Sequence, residues 1–186
     1  MMPLNNPDHI ILDVKRLVES DRRSEIRLNA NGGNSILLIC EPMREAEYIS
    51  RLTILLAKEN YAIIDLNECV IAFVSHHLPE LNELFDQLQS ATTQIFKAPS
   101  GEDSADLFKE IMKLIQQALK EDKVPVLVNT GSLYGTGIDN LHIIENEDVM
   151  NATLPIIILY PATLETGKLM FLGKRPASNY RCMIVQ

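Results

Sequence analysis

The glycine-rich segment at residues 130–137 comes closest to a ligand-binding motif in this chain. It follows an apolar run, and backbone N–H groups at Thr130, Gly131 and Ser132 could bind an anion there. The glycines lack the Gly-x-Gly-x-x-Gly spacing of a dinucleotide-binding loop, and a tight turn after a strand accounts for the same residues. We therefore predict a turn, with a phosphate-binding or nucleotide-sensing domain as the alternative.

A functional Walker A loop is missing from both places that could hold one. The first apolar strand ends in Cys40, Glu41 and Pro42, which include no glycine and put a carboxylate where phosphate would lie. The only Thr-Gly-Lys, at residues 166–168, lacks the first glycine, and Leu169 replaces the hydroxyl residue that binds magnesium. We expect no ATP hydrolysis through such a loop.

The sequence shows no complete catalytic or metal-binding set. Ser132 lacks the Gly-x-Ser-x-Gly context of a serine hydrolase, and nothing ties the nearest candidate base, His142, to it. His76 and His77 are adjacent, so their side chains diverge and one metal ion rarely takes both. We predict a protein that is not an enzyme and needs no cofactor or metal, with a hydrolase as the least favoured alternative.

The composition disfavours nucleic acid and membranes as partners. The formal net charge is −8 and tryptophan is absent, whereas proteins that bind phosphate backbones or stack on bases are usually basic or rich in aromatic residues. Cys40, Cys69 and Cys182 lie in or beside apolar runs without a Cys-x-x-Cys, which predicts buried free thiols. No signal peptide and no apolar run of ~20 residues is visible, so we expect a cytoplasmic soluble protein.

Apolar runs that alternate with helical patterns predict an α/β fold. Residues 35–40 and 61–66 are typical of buried strands, and residues 44–58 between them have helical spacing, which makes a βαβ unit. Two more buried strands are predicted at residues 124–129 and 154–160. This order predicts a Rossmann-like or P-loop-like three-layer sandwich with a mostly parallel sheet and no functional Walker A.

The C-terminal strands at residues 168–173 and 181–185 are close in sequence, so we predict an antiparallel pair at the sheet edge. Residues 35–186 are expected to form a single α/β domain. Residues 1–34, an N-terminal helix and a polar linker, are expected to pack on this core.

Three other segments have less regular patterns. Residues 68–75 could extend the second strand or begin a helix. Residues 99–103 form a break with a capping-box-like helix start, and residues 135–152 are predicted to be irregular or weakly helical.

The loops that follow the predicted strands are the candidate binding surface. Tyrosine combines apolar area with a hydrogen-bonding tip, and arginine adds a fork of donors, so both residues often dominate interface energies. The tyrosines could equally cover the sheet edge. The predicted partner-binding residues are Tyr134, Tyr160, Lys174, Arg175, Asn179, Tyr180 and Arg181.

Four short motifs lie in the last third of the chain: Gly-Ser-Leu-Tyr at residues 131–134, Leu-Tyr-Pro at 159–161, Phe-Leu-Gly-Lys at 171–174 and Asn-Tyr-Arg at 179–181. In their order and spacing they resemble the BrxB family of BREX phage-defence systems. The earlier strand-helix-strand, which ends in Ile-Asp-Leu at residues 64–66, is also similar.

The chain departs from the family pattern at two places. Ala162 stands where the family usually has glycine after the tyrosine-proline. Residues 135–139 replace a proline and a helix with basic residues, so contacts made by that helix are not expected here.

The resemblance implies a small, non-catalytic component of a defence complex. Family members are taken to act beside a PglZ-type alkaline-phosphatase-like protein and a large BrxC-type ATPase. In such systems the host modifies its own DNA and blocks phage replication. We therefore expect an adaptor that binds partner proteins through its strand-exit loops.

Overall fold

The buried apolar runs of the sequence form a sheet whose central strands are parallel. The computed structural model describes residues 6–88, 93–98, 104–166, 168–177 and 181–186. Within the described ranges the strands are β1 (Ser35–Cys40), β2 (Tyr61–Asp65), β3 (Val124–Val128), β4 (Ile156–Glu165), β5 (Lys168–Phe171), β6 (Arg175–Pro176) and β7 (Met183–Val185). Across the sheet the parallel strands follow the order β2-β3-β4-β1-β7, and the prediction of an α/β fold with a mostly parallel sheet is confirmed.

Helices pack on both faces of this sheet. Within the described ranges the helices are α1 (Pro7–Glu19), α2 (Ser24–Asn29), α3 (Glu45–Leu55), α4 (Leu66–His76), α5 (Leu78–Gln87), α6 (Thr93–Phe96), α7 (Leu107–Lys120), α8 (Asn140–Ile144) and α9 (Glu147–Met150). Buried residues of α4, α5, α7 and α8 pack with Leu37 and Ile39 on one face, while those of α1 and α3 pack with Ile36 and Leu38 on the other. Successive residues of a strand point to opposite faces, so β1 is apolar throughout because both faces are covered.

Asp65 is both the last residue of β2 and the N-cap residue of α4. Its carboxylate Oδ1 accepts hydrogen bonds from the backbone N–H groups of Asn67, at 2.8 Å, and Glu68, at 3.3 Å. Such a cap satisfies N–H groups that would otherwise lack partners at a helix start. The ambiguous residues 68–75 are therefore helical rather than an extension of the strand.

Helix α7 begins at Leu107, where the Asp106 carboxylate accepts a hydrogen bond from the backbone N–H of Lys109 at 2.9 Å. The helix start predicted at residues 99–103 lies outside the described residues. Leu114, which shares the apolar spacing of this helix, is 43% exposed. The buried side of α7 consists of Leu107, Ile111, Met112, Ile115 and Ala118.

The strand order does not confirm a Rossmann-like arrangement. In the doubly wound orders 3-2-1-4-5-6 and 2-1-3-4-5, the first two strands of the chain are neighbours. Here β1 lies between β4 and β7, and both β3 and β4 separate it from β2. The chain therefore crosses two strand positions between β1 and β2, which the local βαβ pattern could not predict.

The antiparallel part of the sheet is present, but the predicted pairing was wrong. β5 pairs antiparallel with β4 and with β6, whereas β7 pairs parallel with β1. β4 continues beyond Pro161, its last residue paired with β1, and residues 162–165 are thus available to β5. The nearest strand in sequence, β4, takes the hairpin pairing, and β7 occupies the open edge of β1.

Two segments with weak sequence patterns contain short helices, as the weakly helical alternative for residues 135–152 allowed. The polar linker before residue 35 contains a 3-10 turn at Asp21–Arg23 and helix α2, whose Ile26 is fully buried. The segment at residues 135–152 contains the short helices α8 and α9. Each of these helices buries only one or two apolar side chains, which is too few for a periodic pattern to reveal.

Candidate functional site

Arg175, the first residue of β6, lies beside Tyr134, which follows β3, and both side chains are exposed. The guanidinium carbon of Arg175 lies 5.2 Å from the centre of the Tyr134 ring and 5.8 Å from that of Phe171. Its Nη2 also forms an ion pair with the carboxylate of Asp139. A guanidinium over an aromatic ring is attracted by the ring's electrons, so three neighbours restrain this long side chain.

Tyr134 and Arg175 each follow a tight turn. Tyr134 follows the 3-10 turn Thr130–Leu133 after β3, and its backbone N–H donates to the Gly131 carbonyl at 3.0 Å. Arg175 begins β6 after a turn in which Gly173 has a φ of +62°. Glycine adopts this left-handed conformation without strain, which allows β6 to return along β5.

Tyr134, Asp139, Lys174 and Arg175 form what we call the Arg175 surface. Tyr134 is 56% exposed, and the side chains of Arg175 and Asp139 are about half exposed. Lys174 is exposed and precedes Arg175 directly. The structure thus brings together three of the predicted partner-binding residues, and Asp139 is an addition that the sequence analysis missed.

Tyr160 lies in the core rather than on this surface. It is 4% exposed, and its ring stacks on Phe171 with 4.7 Å between the ring centres. Burial raises the pKa of Tyr160 to about 12, although the nearby Arg175 charge and a hydrogen bond from Asn140 oppose the rise. The expectation of an exposed anchor at Tyr160 is corrected, because β4 buries its side chains on both faces of the sheet.

A small cavity of about 150 Å³ joins the Tyr160 side chain to the Arg175 surface. Asn140 lines this cavity, and its buried Oδ1 atom has no hydrogen-bond partner among the described residues. Because Tyr160 stays protonated at neutral pH, its hydroxyl could donate a hydrogen bond but not act as a phenolate base or nucleophile. The cavity suits one small polar group, and it is lined by Asp139, Asn140, Leu141, Tyr160, Arg175 and Pro176.

Arg181 lies at the opposite edge of the sheet from Tyr134. It comes just before β7, which is parallel to β1, so it belongs to the amino ends of the strands, whereas Tyr134 follows the carboxyl end of β3. Its backbone abuts Gly33, and its guanidinium Nη1 lies 3.5 Å from Met150 Sδ. The predicted docking face is therefore divided, and Asn179 and Tyr180 lie outside the described residues.

The predicted anion-binding turn uses its hydroxyls for internal contacts. Thr130 is buried and its hydroxyl donates to the Leu159 carbonyl at 3.2 Å, and the Ser132 hydroxyl contacts Asn67 Oδ1 at 3.4 Å. Gly131 lies within the 3-10 turn, and its carbonyl accepts from Tyr134. These contacts connect the turn after β3 to β4 and α4, which supports a structural role for the turn.

A polar cluster at the carboxyl ends of β2 and β3 was missed by the sequence analysis. Asn129 Nδ2 donates to Asp65 Oδ2 at 2.8 Å, and Asn129 has a left-handed backbone with φ +56°. Burial raises the pKa of Glu45, a backbone N–H of Asn129 opposes this, and the Asp65 charge adds to the rise. Residues that end neighbouring parallel strands meet at one sheet edge, and that signal could have linked Asp65 with Asn129.

The chain matches no protein-family model, no curated protein and no solved structure. Throughout the described ranges, no group of three or more histidine, cysteine, aspartate or glutamate residues is placed to hold a metal ion. Each described helix is too short or too polar to cross a bilayer. The fold and the site define an α/β protein with a mixed sheet and a restrained arginine-tyrosine surface beside a small polar cavity.

Proposed function

We propose that the protein is a non-catalytic adaptor of a BREX-type phage-defence complex and binds a partner protein through the Arg175 surface. The observation that carries this proposal is the restraint of Arg175 by the Tyr134 ring and the Asp139 carboxylate. Side chains that are already held in place lose less entropy when a partner binds. Tyrosine and arginine also supply a large share of the binding energy at many interfaces.

The resemblance to the BrxB family supports the choice of partner. It points to a PglZ-like alkaline-phosphatase-superfamily protein or a BrxC-like ATPase. Two of the four motifs that carry the resemblance include residues of the Arg175 surface, namely Tyr134 and Lys174. The BrxB-like motifs and the Arg175 surface therefore overlap at these two residues.

Co-purification from cells that express the complete defence system tests the proposal. Tyr134→Ala combined with Arg175→Ala should weaken capture of the PglZ-like or BrxC-like protein at least tenfold, and phage plaquing should rise. Both side chains are about half exposed, so the melting temperature should change little.

The matched control combines Arg16→Ala with Leu28→Ala. These residues also supply one guanidinium and one exposed apolar side chain, but on α1 and α2. The control should keep the partner. Equal capture by the folded double variant and the wild type would contradict the Arg175 surface.

A second candidate function is a domain that senses a nucleotide or another phosphate ligand. The polar cavity beside Arg175 favours it, because the guanidinium at its edge could pair with a phosphate group. A ligand at a hundred times its dissociation constant would add about 2.7 kcal/mol to the free energy of unfolding. A thermal-shift series with ATP, GTP and inorganic phosphate would detect this, and unchanged melting temperatures throughout would count against it.

A hydrolase remains the least favoured candidate. The Ser132 hydroxyl contacts Asn67, and His142 Nδ1 accepts a hydrogen bond from the backbone N–H of Asp139 at 3.0 Å. These contacts support structural roles for both residues. Ester or phosphoester hydrolysis that disappears in Ser132→Ala would revive the candidate.

A further inference from the structure

The middle of the chain has an unusually one-sided charge. Residues 59–96 contain no lysine or arginine, although the whole chain has 17 such residues. The segment therefore accounts for most of the formal net charge of −8. Its carboxylates are those of Glu59, Asp65, Glu68, Glu80, Glu83 and Asp86.

Helix α5, in the centre of this segment, exposes large apolar side chains among the carboxylates. Leu78 is 50% exposed and Phe85 is 54% exposed. They are seven residues apart, about two helical turns, so they share one stripe with Asn82. Glu83 and Asp86 are also exposed and lie farther around the helix from Phe85. We call Leu78, Asn82, Glu83, Phe85 and Asp86 the α5 surface.

The buried side of α5 adjoins Leu78 and Phe85 and is anchored to the protein. Leu81 is buried in the core, and His77 at the start of the helix lies between the carboxylates of Glu80 and Glu110. The His77 ring also packs against Phe73, with 4.9 Å between the ring centres. The α5 surface is therefore held outward by a fixed helix.

We propose that the α5 surface binds a basic amphipathic helix of a partner protein. Apolar side chains spaced by one or two turns on the partner would cover Leu78 and Phe85, as in other helix-in-groove complexes. Lysine or arginine residues flanking them would face Glu83 and Asp86. This surface is distinct from the Arg175 surface and does not depend on the function proposed for it.

The charge decides between the possible occupants. A second copy of this chain would place two acidic surfaces face to face, and like charges across an interface oppose association. Anionic lipid and nucleic acid are disfavoured for the same reason. A basic helix satisfies both the exposed apolar stripe and the carboxylates.

Fluorescence anisotropy with the full chain tests this proposal. The probe is a labelled 18-residue amphipathic peptide of leucine and lysine, and its matched control has glutamate in place of every lysine. The lysine peptide should bind at 50 mM salt and weaken at least tenfold at 500 mM, because the attraction is screened. The glutamate peptide should not bind. Equal binding of the two peptides would overturn the proposal.

Two sets of variants locate the binding site. Glu83→Lys with Asp86→Lys should weaken the lysine peptide at least tenfold, and Phe85→Ala should weaken it several-fold. The control Glu145→Lys with Glu147→Lys makes the same charge change at exposed positions near α8 and α9, and should change affinity less than twofold. An equal loss in the control would show attraction to overall charge and would overturn the assignment to α5.

Discussion

Glu45 is expected to make the stability of the protein depend on pH. Burial raises its pKa above the ordinary 4.5. The folded state then binds this proton more tightly than the unfolded state, so the free energy of unfolding falls as pH rises from about 4.5 through the folded pKa. Glu45→Gln removes the partly buried charge and should raise the melting temperature at pH 7, with the gain shrinking towards pH 4.

A neighbouring glutamate on the same helix provides a control of opposite sign. The Arg44 guanidinium lowers the pKa of Glu47, so its charge is favoured in the folded state. Glu47→Gln should therefore slightly lower the melting temperature at pH 7. Thermal unfolding of both variants between pH 4 and 8 tests the pair, and a lower melting temperature for Glu45→Gln than for the wild type at pH 7 would contradict the argument.

Gly33 should be among the least replaceable residues of the chain. A Cβ atom there would lie 1.9 Å from the Arg181 carbonyl oxygen, where the two backbones pass beside the start of β1 and β7. The backbone would have to separate, so Gly33→Ala should lower the free energy of unfolding by about 1–3 kcal/mol. Urea denaturation measures this directly.

Gly131→Ala is the matched control. A Cβ there would lie 3.5 Å from the Leu172 side chain, which is ordinary contact. Its effect should stay within about 0.5 kcal/mol. Equal effects of the two substitutions would show that the contact at Gly33 relaxes easily.

Tyr134 and Tyr160 show how far residue type predicts a site. Both follow or end apolar strands, and both suited a docking surface by their chemistry alone. One ring is 56% exposed under Arg175, and the other is 4% exposed against Phe171. The sequence could not separate them because Tyr160 lies within β4, which continues past it and is covered on both faces, whereas Tyr134 lies in the turn after β3.

At the scale of elements, Asn34 joins the start of β1 to the loop that leads into β4. Its side chain is 2% exposed, and Nδ2 lies within hydrogen-bond distance of the carbonyls of Val149, Ala152 and Leu154 at 3.1, 3.0 and 2.9 Å. Asn34→Ala leaves these buried carbonyls with fewer donors and should cost about 1–3 kcal/mol.

Asn34→Asp sharpens this prediction. It replaces the donor with a buried carboxylate facing the same carbonyls, so it should cost more than alanine does. Asn151→Asp, at an exposed position of the same loop, should stay within about 0.5 kcal/mol. Chemical denaturation ranks the three variants, and an Asn34→Asp no less stable than Asn34→Ala would contradict the donor role.

The elements that sequence predicted well share one physical property. β1, β3 and the first part of β4 are buried on both faces, so their apolar runs are continuous. β7 has only three residues, and its partner depends on which sheet edge is open after all other strands have paired. The sequence of so short an edge strand does not indicate which strand it pairs with.

At the scale of the whole molecule, charge is distributed unevenly over the two proposed binding surfaces. The Arg175 surface contains two cations and one carboxylate, while the α5 surface has carboxylates and no cation. The two surfaces also lie on different elements. The two surfaces therefore suit chemically different ligands.

The N-terminal helix should unfold together with the sheet rather than detach from it. Ile11 and Val14 of α1 are almost fully buried, and they share one cluster with Ile36 and Leu38 of β1 and Leu159 of β4. Ile11→Ala with Val14→Ala removes apolar atoms from that shared cluster and should cost about 4 kcal/mol or more. The unfolding curve should shift as a single transition.

Urea denaturation followed by circular dichroism, with amide exchange of α1 and β1 measured in parallel, tests this expectation. Asp13→Ala with Arg16→Ala alters an exposed ion pair on the same helix and should change the free energy of unfolding by less than about 1 kcal/mol. In the buried double variant, exchange should accelerate equally in α1 and β1, because one cooperative unit opens as a whole. Faster exchange in α1 alone would instead mean that residues 1–34 form an appendage whose loss the remaining domain survives.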